Sequence, residues 1–132
     1  MNLFKTVPSN VVQSIRAFRP TDLQAEAAHL GQHFLYAYCA HAATKQQVLA
    51  LITEAFHFPK HFGKNFDALA DCLTDLTHKA GPQPGFLIVL EQLPNTPKFD
   101  KEARETLLDI FRDAADFWAE KKVAFRVFYS FQ

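Results

Sequence analysis

Phe62-Gly63-Lys64-Asn65-Phe66-Asp67-Ala68-Leu69-Ala70-Asp71-Cys72-Leu73-Thr74-Asp75-Leu76 carries the strongest local pattern in the chain. Gly63-Lys64-Asn65 reads as a helix start. At about 100° per residue, Phe66, Leu69, Leu73 and Leu76 share one side of that helix, with Cys72 at the edge. Asp67, Asp71 and Asp75 fall on the other side, drifting by about 40° from each to the next. The expected unit is a short helix held by apolar contacts that turns a ladder of carboxylates to water. Asp67, in the first turn, is favoured by the helix dipole and the free amides there. Asp71 and Asp75 lie where that benefit fades and then reverses, and aspartate is a weaker helix former than glutamate. A face needing only solubility is more simply built from Glu and Lys. Two readings follow: a solvated acidic face, the default for a charge run, and a binding surface.

Working outward, Val48, Leu51, Ile52, Ala55 and Phe56 repeat at helical spacing behind a capping box, Thr44-Lys45-Gln46-Gln47, with Pro59 as the expected stop. His33 to Ala40 has strand composition. Thr21-Asp22-Leu23-Gln24 reads as another capping box and Gly31 as a C-cap, bracketing a short helix over 22–30. Val11, Val12, Ile15 and Phe18 suit either an edge strand or a single helical turn. On the other side, Gly81-Pro82-Gln83-Pro84-Gly85 is a turn cluster. The unbroken apolar run Phe86-Leu87-Ile88-Val89-Leu90 marks a strand covered on both faces. A long helix is expected over about 100–119, with a seam of Ala103, Leu107, Ile110, Phe111, Ala114 and Trp118. Val123, Phe125, Val127, Tyr129 and Phe131 then alternate as a last strand. Three strands separated by helices require crossover connections. The expected fold is therefore α/β, a small three-stranded parallel sheet packed against helices, with residues 1–31 as an N-terminal extension and 32–132 as the main domain.

Composition narrows the function. The chain has 132 residues, 48% of them hydrophobic and 14 of them Phe, enough for one domain with a substantial core. Fourteen acids balance fourteen bases, so no basic excess points to nucleic acid. Two cysteines, Cys39 and Cys72, read as buried free thiols in a reducing compartment. Neither a secretory h-region after Met1 nor an apolar run of membrane-spanning length is present, and a soluble cytoplasmic protein is expected.

Enzyme and cofactor signatures are missing. The sequence contains no phosphate-binding glycine loop, no Gly-x-Ser-x-Gly elbow and no His-Glu-x-x-His pair. His29 and His33 straddle Gly31, while His57 and His61 straddle Pro59, so neither pair is expected to share a helix face or hold zinc. Asp67, Asp71 and Asp113 are conceivable catalytic acids, but an exposed helix face does not push proton affinities apart. The expectation is a protein that is not an enzyme and takes no cofactor or metal.

Read as Gly-x-Asn-x-Asp-Ala-Leu-x-Asp-Cys-Leu-Thr, residues 63 to 74 closely resemble the barstar family of intracellular inhibitors of barnase-type ribonucleases. The order of elements from about His33 to Phe131 is similar too, and Phe111-Arg112-Asp113-Ala114 fits the Phe-Arg-acid-Ala stretch of the family's last helix. Residues 1 to about 31 lie outside the resemblance to barstar itself. The resemblance implies a barstar-like fold and a protein that occludes a basic ribonuclease's active site, with no direct nucleic-acid or membrane binding. By position, Asp71 matches the acid that enters the nuclease's phosphate site, Asp67 a neighbouring acid, and Asp113 the interface acid of the last helix. His61 and Gly63 match contacting loop positions, and Ala70, Thr74 and Asp75 complete the implied surface. Ala70 and Leu76 stand where barstar has tryptophans, His61 replaces a tyrosine, and Lys60 and Lys64 add positive charge. These departures leave open an alternative: an immunity or interaction module for a different basic toxin or protein.

Overall fold

The apolar run Phe86–Leu90 forms the middle of β3 (Gly85–Leu93), and each of its five side chains is fully buried. The computed structural model describes residues 4–16, 18–59, 65–76, 81 and 83–132. Around β3 lie β1 (Asn10–Ser14), β2 (His33–Tyr38) and β4 (Ala124–Phe131), all parallel, in the order β1-β4-β3-β2. Among the described residues the helices with full bounds are α1 (Pro20–Leu30), α2 (Lys45–Ala55), α3 (Phe66–Leu73) and α4 (Lys101–Glu120), with a 3-10 turn at Pro97–Phe99 before α4. The α/β class and parallel sheet agree with expectation, but the sheet has four strands rather than three.

The fourth strand comes from the segment that periodicity left undecided. Asn10-Val11-Val12-Gln13-Ser14 has no clean alternation and every residue is half-buried, so its strand character comes from its neighbours. Val12 aligns with Val127 on β4, and Ile15 N–H donates to the Tyr129 carbonyl at 2.9 Å. The Asn10 side-chain amide donates to two carbonyls, Ala115 on α4 at 3.0 Å and Val123 at 2.9 Å. These bonds tie β1 to both the sheet and the last helix.

Two apolar layers follow from the alternation of side chains across the sheet. On one face Phe86, Ile88, Leu90, Phe125 and Val127 meet α2, α3 and α4 through Ile52, Leu73, Phe111 and Trp118. On the other, Leu87, Val89 and Phe128 are covered by Phe4 and by Leu23 and Ala27 of α1. Phe128 stacks on Phe4 with ring centroids 5.8 Å apart and meets Phe18 edge-on at 5.4 Å. Residues 4–31 thus supply both an edge strand and the lid over the second face.

Helix ends show where local signals won and lost. Thr44 forms the expected capping box, accepting from Gln47 N–H at 3.1 Å while its own N–H donates to Gln47 Oε1 at 3.2 Å. Gly31 ends α1 in the left-handed region at φ 67°. The box expected at Thr21 does not form: α1 starts earlier, at Pro20, with Arg19 as an N-cap that makes no side-chain cap bond. Proline's restricted φ suits the first helical turn, and its missing N–H loses nothing there. Pro59 does not stop α2 either. That helix ends at Ala55, and His57 turns the chain at φ 58°, two residues before the proline.

Candidate partner-binding site

α3 begins at Asn65, whose extended backbone lets its side-chain oxygen accept the Ala68 N–H at 2.7 Å. This is the bond that makes asparagine a strong N-cap, satisfying one of the helix's orphan donors. The apolar stripe then turns inward: Leu69 and Leu73 are buried, and Leu76, just past the helix, is only 6% exposed. Phe66 is half-buried and packs against the core, with Lys45 Nζ of α2 lying 4.5 Å from its ring centroid. Asp67, Asp71 and Asp75 are all exposed.

The aspartate ladder is not one continuous helix face. α3 ends at Leu73: Thr74 N–H makes the last i→i−4 bond, to the Ala70 carbonyl at 3.3 Å, and Asp75 N–H then reaches only three residues back, to Cys72 at 3.1 Å, tightening the last turn. Thr74 Oγ1 donates to the Asp71 carbonyl at 3.2 Å, the kind of back-bonding that competes with helix continuation. Asp67 and Asp71 are therefore helical neighbours at i and i+4, whereas Asp75 sits beyond the helix end.

The negative field of this segment registers on the one thiol within it. Cys72 is half-buried, and its pKa is pushed up first by burial and then by the charges of Asp71 and Asp75. The thiol stays protonated at neutral pH, which makes it a poor nucleophile or metal ligand. Among the described residues, no group of three or more His, Cys, Asp and Glu is placed to hold a metal. No helix among them is long and apolar enough to cross a membrane.

The remaining expected residues divide clearly. Asp113 is exposed on α4, while Phe111, Ala114 and Ala115 beside it are buried, so it stands off the seam. One turn earlier, Asp109 pairs with Arg112 at 2.7 Å in an exposed bridge of the kind that adds little stability. Ala70 and Thr74 are half-buried. His61 and Gly63 lie outside the described residues.

Sequence reasoning placed Trp118 in the α4 seam but missed its hydrogen bond. The indole N–H donates to the Leu73 carbonyl at 2.9 Å in a buried contact, joining the end of α3 to α4. A buried tryptophan generally needs an acceptor, and that is the only signal the sequence carried; the acceptor itself lies 45 residues away.

Among curated proteins, none matches the chain. The family model described as Barstar (barnase inhibitor) matches residues 32–130, which span β2 through nearly all of β4 and include α3 and α4. The chain belongs to the barstar family.

Proposed function

We propose that this chain is an inhibitor that occupies the active-site groove of a barnase-type ribonuclease through α3. The observation that carries the reading is the disposition of α3 in a chain of this family: its apolar stripe is buried and Asp67 and Asp71 stand exposed. A ribonuclease must hold an RNA phosphate among cationic donors. A carboxylate on a rigid helix offers those donors charge-assisted hydrogen bonds, which are stronger than neutral ones. In this account Asp71 enters the phosphate site, Asp67 and Asp75 flank it, and Asp113 contacts the rim from α4. Ala70 and Thr74, with His61 and Gly63 of the segment ahead of α3, complete the contact. Residues 32–132 carry recognition and residues 1–31 serve the fold. Such an inhibitor protects a cytoplasm that makes the nuclease, and its barstar-family relatives are inhibitors rather than enzymes.

Asp71→Ala tests the proposal. The central acid is expected to behave as a hot spot, so affinity for a barnase-type ribonuclease falls about thirtyfold or more. Thermal stability stays nearly unchanged, because an exposed acid away from a cap contributes within about 0.5 kcal/mol. A parallel loss of stability and binding, or a wild-type chain that ignores the nuclease at micromolar concentration, would sink the reading. The second reading keeps the fold and changes the target to another basic toxin. Ala70 favours it, because its small side chain leaves the middle of the acidic face without a bulky group. Leu76 does not, since it is buried in the core and unavailable to any partner. A partner captured from native lysate that lacks RNA-cleaving activity would select this alternative.

A further inference from the structure

We propose that Trp118 is the positioning residue of the acidic helix, setting where Asp71 and Asp75 stand by holding the end of α3. Its consequence for binding rests on the inhibitor reading; its consequence for helix order does not.

The need for such a residue follows from length. Eight residues make a helix about 12 Å long, well below what holds together alone in water. Its order is therefore imposed by neighbours. At the start, the Asn65 cap does this locally. At the end, the last four carbonyls need donor partners. Three are satisfied within the segment: Ala70 by Thr74 N–H, Asp71 by the Thr74 hydroxyl, and Cys72 by Asp75 N–H. The fourth, Leu73, accepts the Trp118 indole N–H at 2.9 Å. Of these bonds, only that one comes from outside α3 and its final turn.

The donor is itself held in place. Trp118 is 3% exposed, with its ring 5.2 Å from Phe86 of β3 and 5.1 Å, edge-on, from Phe117. The path from the central strand to the acids is thus short: Phe86 seats the indole, the indole seats the Leu73 carbonyl, and Asp71 and Asp75 lie two residues to either side. Packing by Leu69 and Leu73 keeps α3 on the core, but apolar contact is non-directional and leaves the helix free to slide or rotate. A hydrogen bond at its end supplies direction.

Trp118→Phe keeps a buried aromatic ring and removes the donor. Hydrogen exchange on the free chain reads the first consequence. Protection of amides in 69–75 is expected to fall about tenfold relative to amides of β3. Phe4→Ala, which weakens the opposite face of the sheet, serves as control: it lowers protection of β3 and should not lower the α3-to-β3 ratio. In the wild-type chain the Trp118 indole proton should exchange in step with the α3 amides, a measurement that needs no variant to fold. Binding to barnase reads the second consequence. Affinity is expected to drop about tenfold in Trp118→Phe, yet less than twofold when the substitution is made on Asp71→Ala, because a misplaced carboxylate cannot be lost twice. An indole proton exchanging independently of α3, an unchanged α3-to-β3 protection ratio, or fully additive binding losses would each overturn the assignment. Barnase ignoring the wild-type chain would instead remove the inhibitor reading, and the exchange measurements would still decide the role of Trp118.

Discussion

Truncating Phe4 to alanine asks whether the segment ahead of the family-matched region is part of the folded unit. Phe4 is 5% exposed, stacks on Phe128, meets Phe18 edge-on at 6.3 Å and lies under the Arg126 guanidinium, whose carbon is 4.4 Å from its ring centroid. A buried aromatic withdraws about 150 Å² or more from water; at about 25 cal/mol per Å² that approaches 4 kcal/mol, an upper bound because unfolded chains bury some surface too. Losing the cation–π contact adds about 0.5 kcal/mol. Against this, Phe18 and Phe128 can partly close the gap, so the low end of the usual Phe→Ala range applies. The expected loss is about 3 kcal/mol, read from urea unfolding, with a fall in Tm of roughly 10 °C. Ribonuclease affinity of the folded variant should not change, since Phe4 and α3 pack on opposite faces of the sheet. A loss below about 1 kcal/mol would refute the claim that residues 4–31 complete the core.

Replacing Asn65 with alanine should cost about 1 kcal/mol in chemical denaturation, and Asn65→Asp should retain most of it, because both native and aspartate side chains accept the Ala68 N–H; equal losses in both variants would speak against the cap. Burial pushes the Cys39 thiol from its ordinary 9.0 up to about 12. With the folded value raised, the unfolded chain releases this proton first, so the stabilisation is full below pH 9 and declines as pH climbs toward 12. By pH 10 the wild-type chain should have lost about 1.4 kcal/mol more than Cys39→Ala, relative to pH 8. Superimposable pH profiles for the two proteins would contradict the buried, neutral thiol.

Elements whose own side chains dictate their packing were legible in the sequence. β3 reads as a strand covered on both faces because Phe86 to Leu90 are all apolar, and all are buried. α3 and α4 read correctly because Leu69, Leu73, Leu107, Phe111 and Trp118 recur at helical spacing against one core. Where structure depends on distant partners, the pattern was silent. β1 is a strand because β4 and the Ala115 and Val123 carbonyls receive it, and nothing within five half-buried residues announces that. Phe128 falls in the phase of β4 that alternation assigns to solvent, yet it is wholly buried because the N-terminal segment covers that face. Competition between neighbouring local signals explains the misplaced ends: Pro20 outranked the Thr21 box, left-handed His57 turned the chain before Pro59, and Thr74 closed α3 before Asp75. At the candidate site, the exposure of Asp67, Asp71 and Asp113 was readable from periodicity. The bond from Trp118 to Leu73 was not.

Charge and anchoring at this site bear on each other. With fourteen acids and fourteen bases, the chain offers a distant basic partner little net attraction. Salt screening confines the field of the exposed aspartates to about 8 Å, so their influence begins near contact. A partner arriving without long-range guidance benefits only if the carboxylates already stand where its cationic groups can meet them. Ordering them during the encounter would subtract from the binding energy. A helix of eight residues cannot supply that order alone, and here it is capped by Asn65 at one end and bonded to Trp118 at the other. Neutrality therefore raises the demand on pre-positioning, and the double anchoring of α3 answers it: the inhibitor proposed here would owe its affinity to short-range fit, and changes at α3 should act on dissociation more than on association.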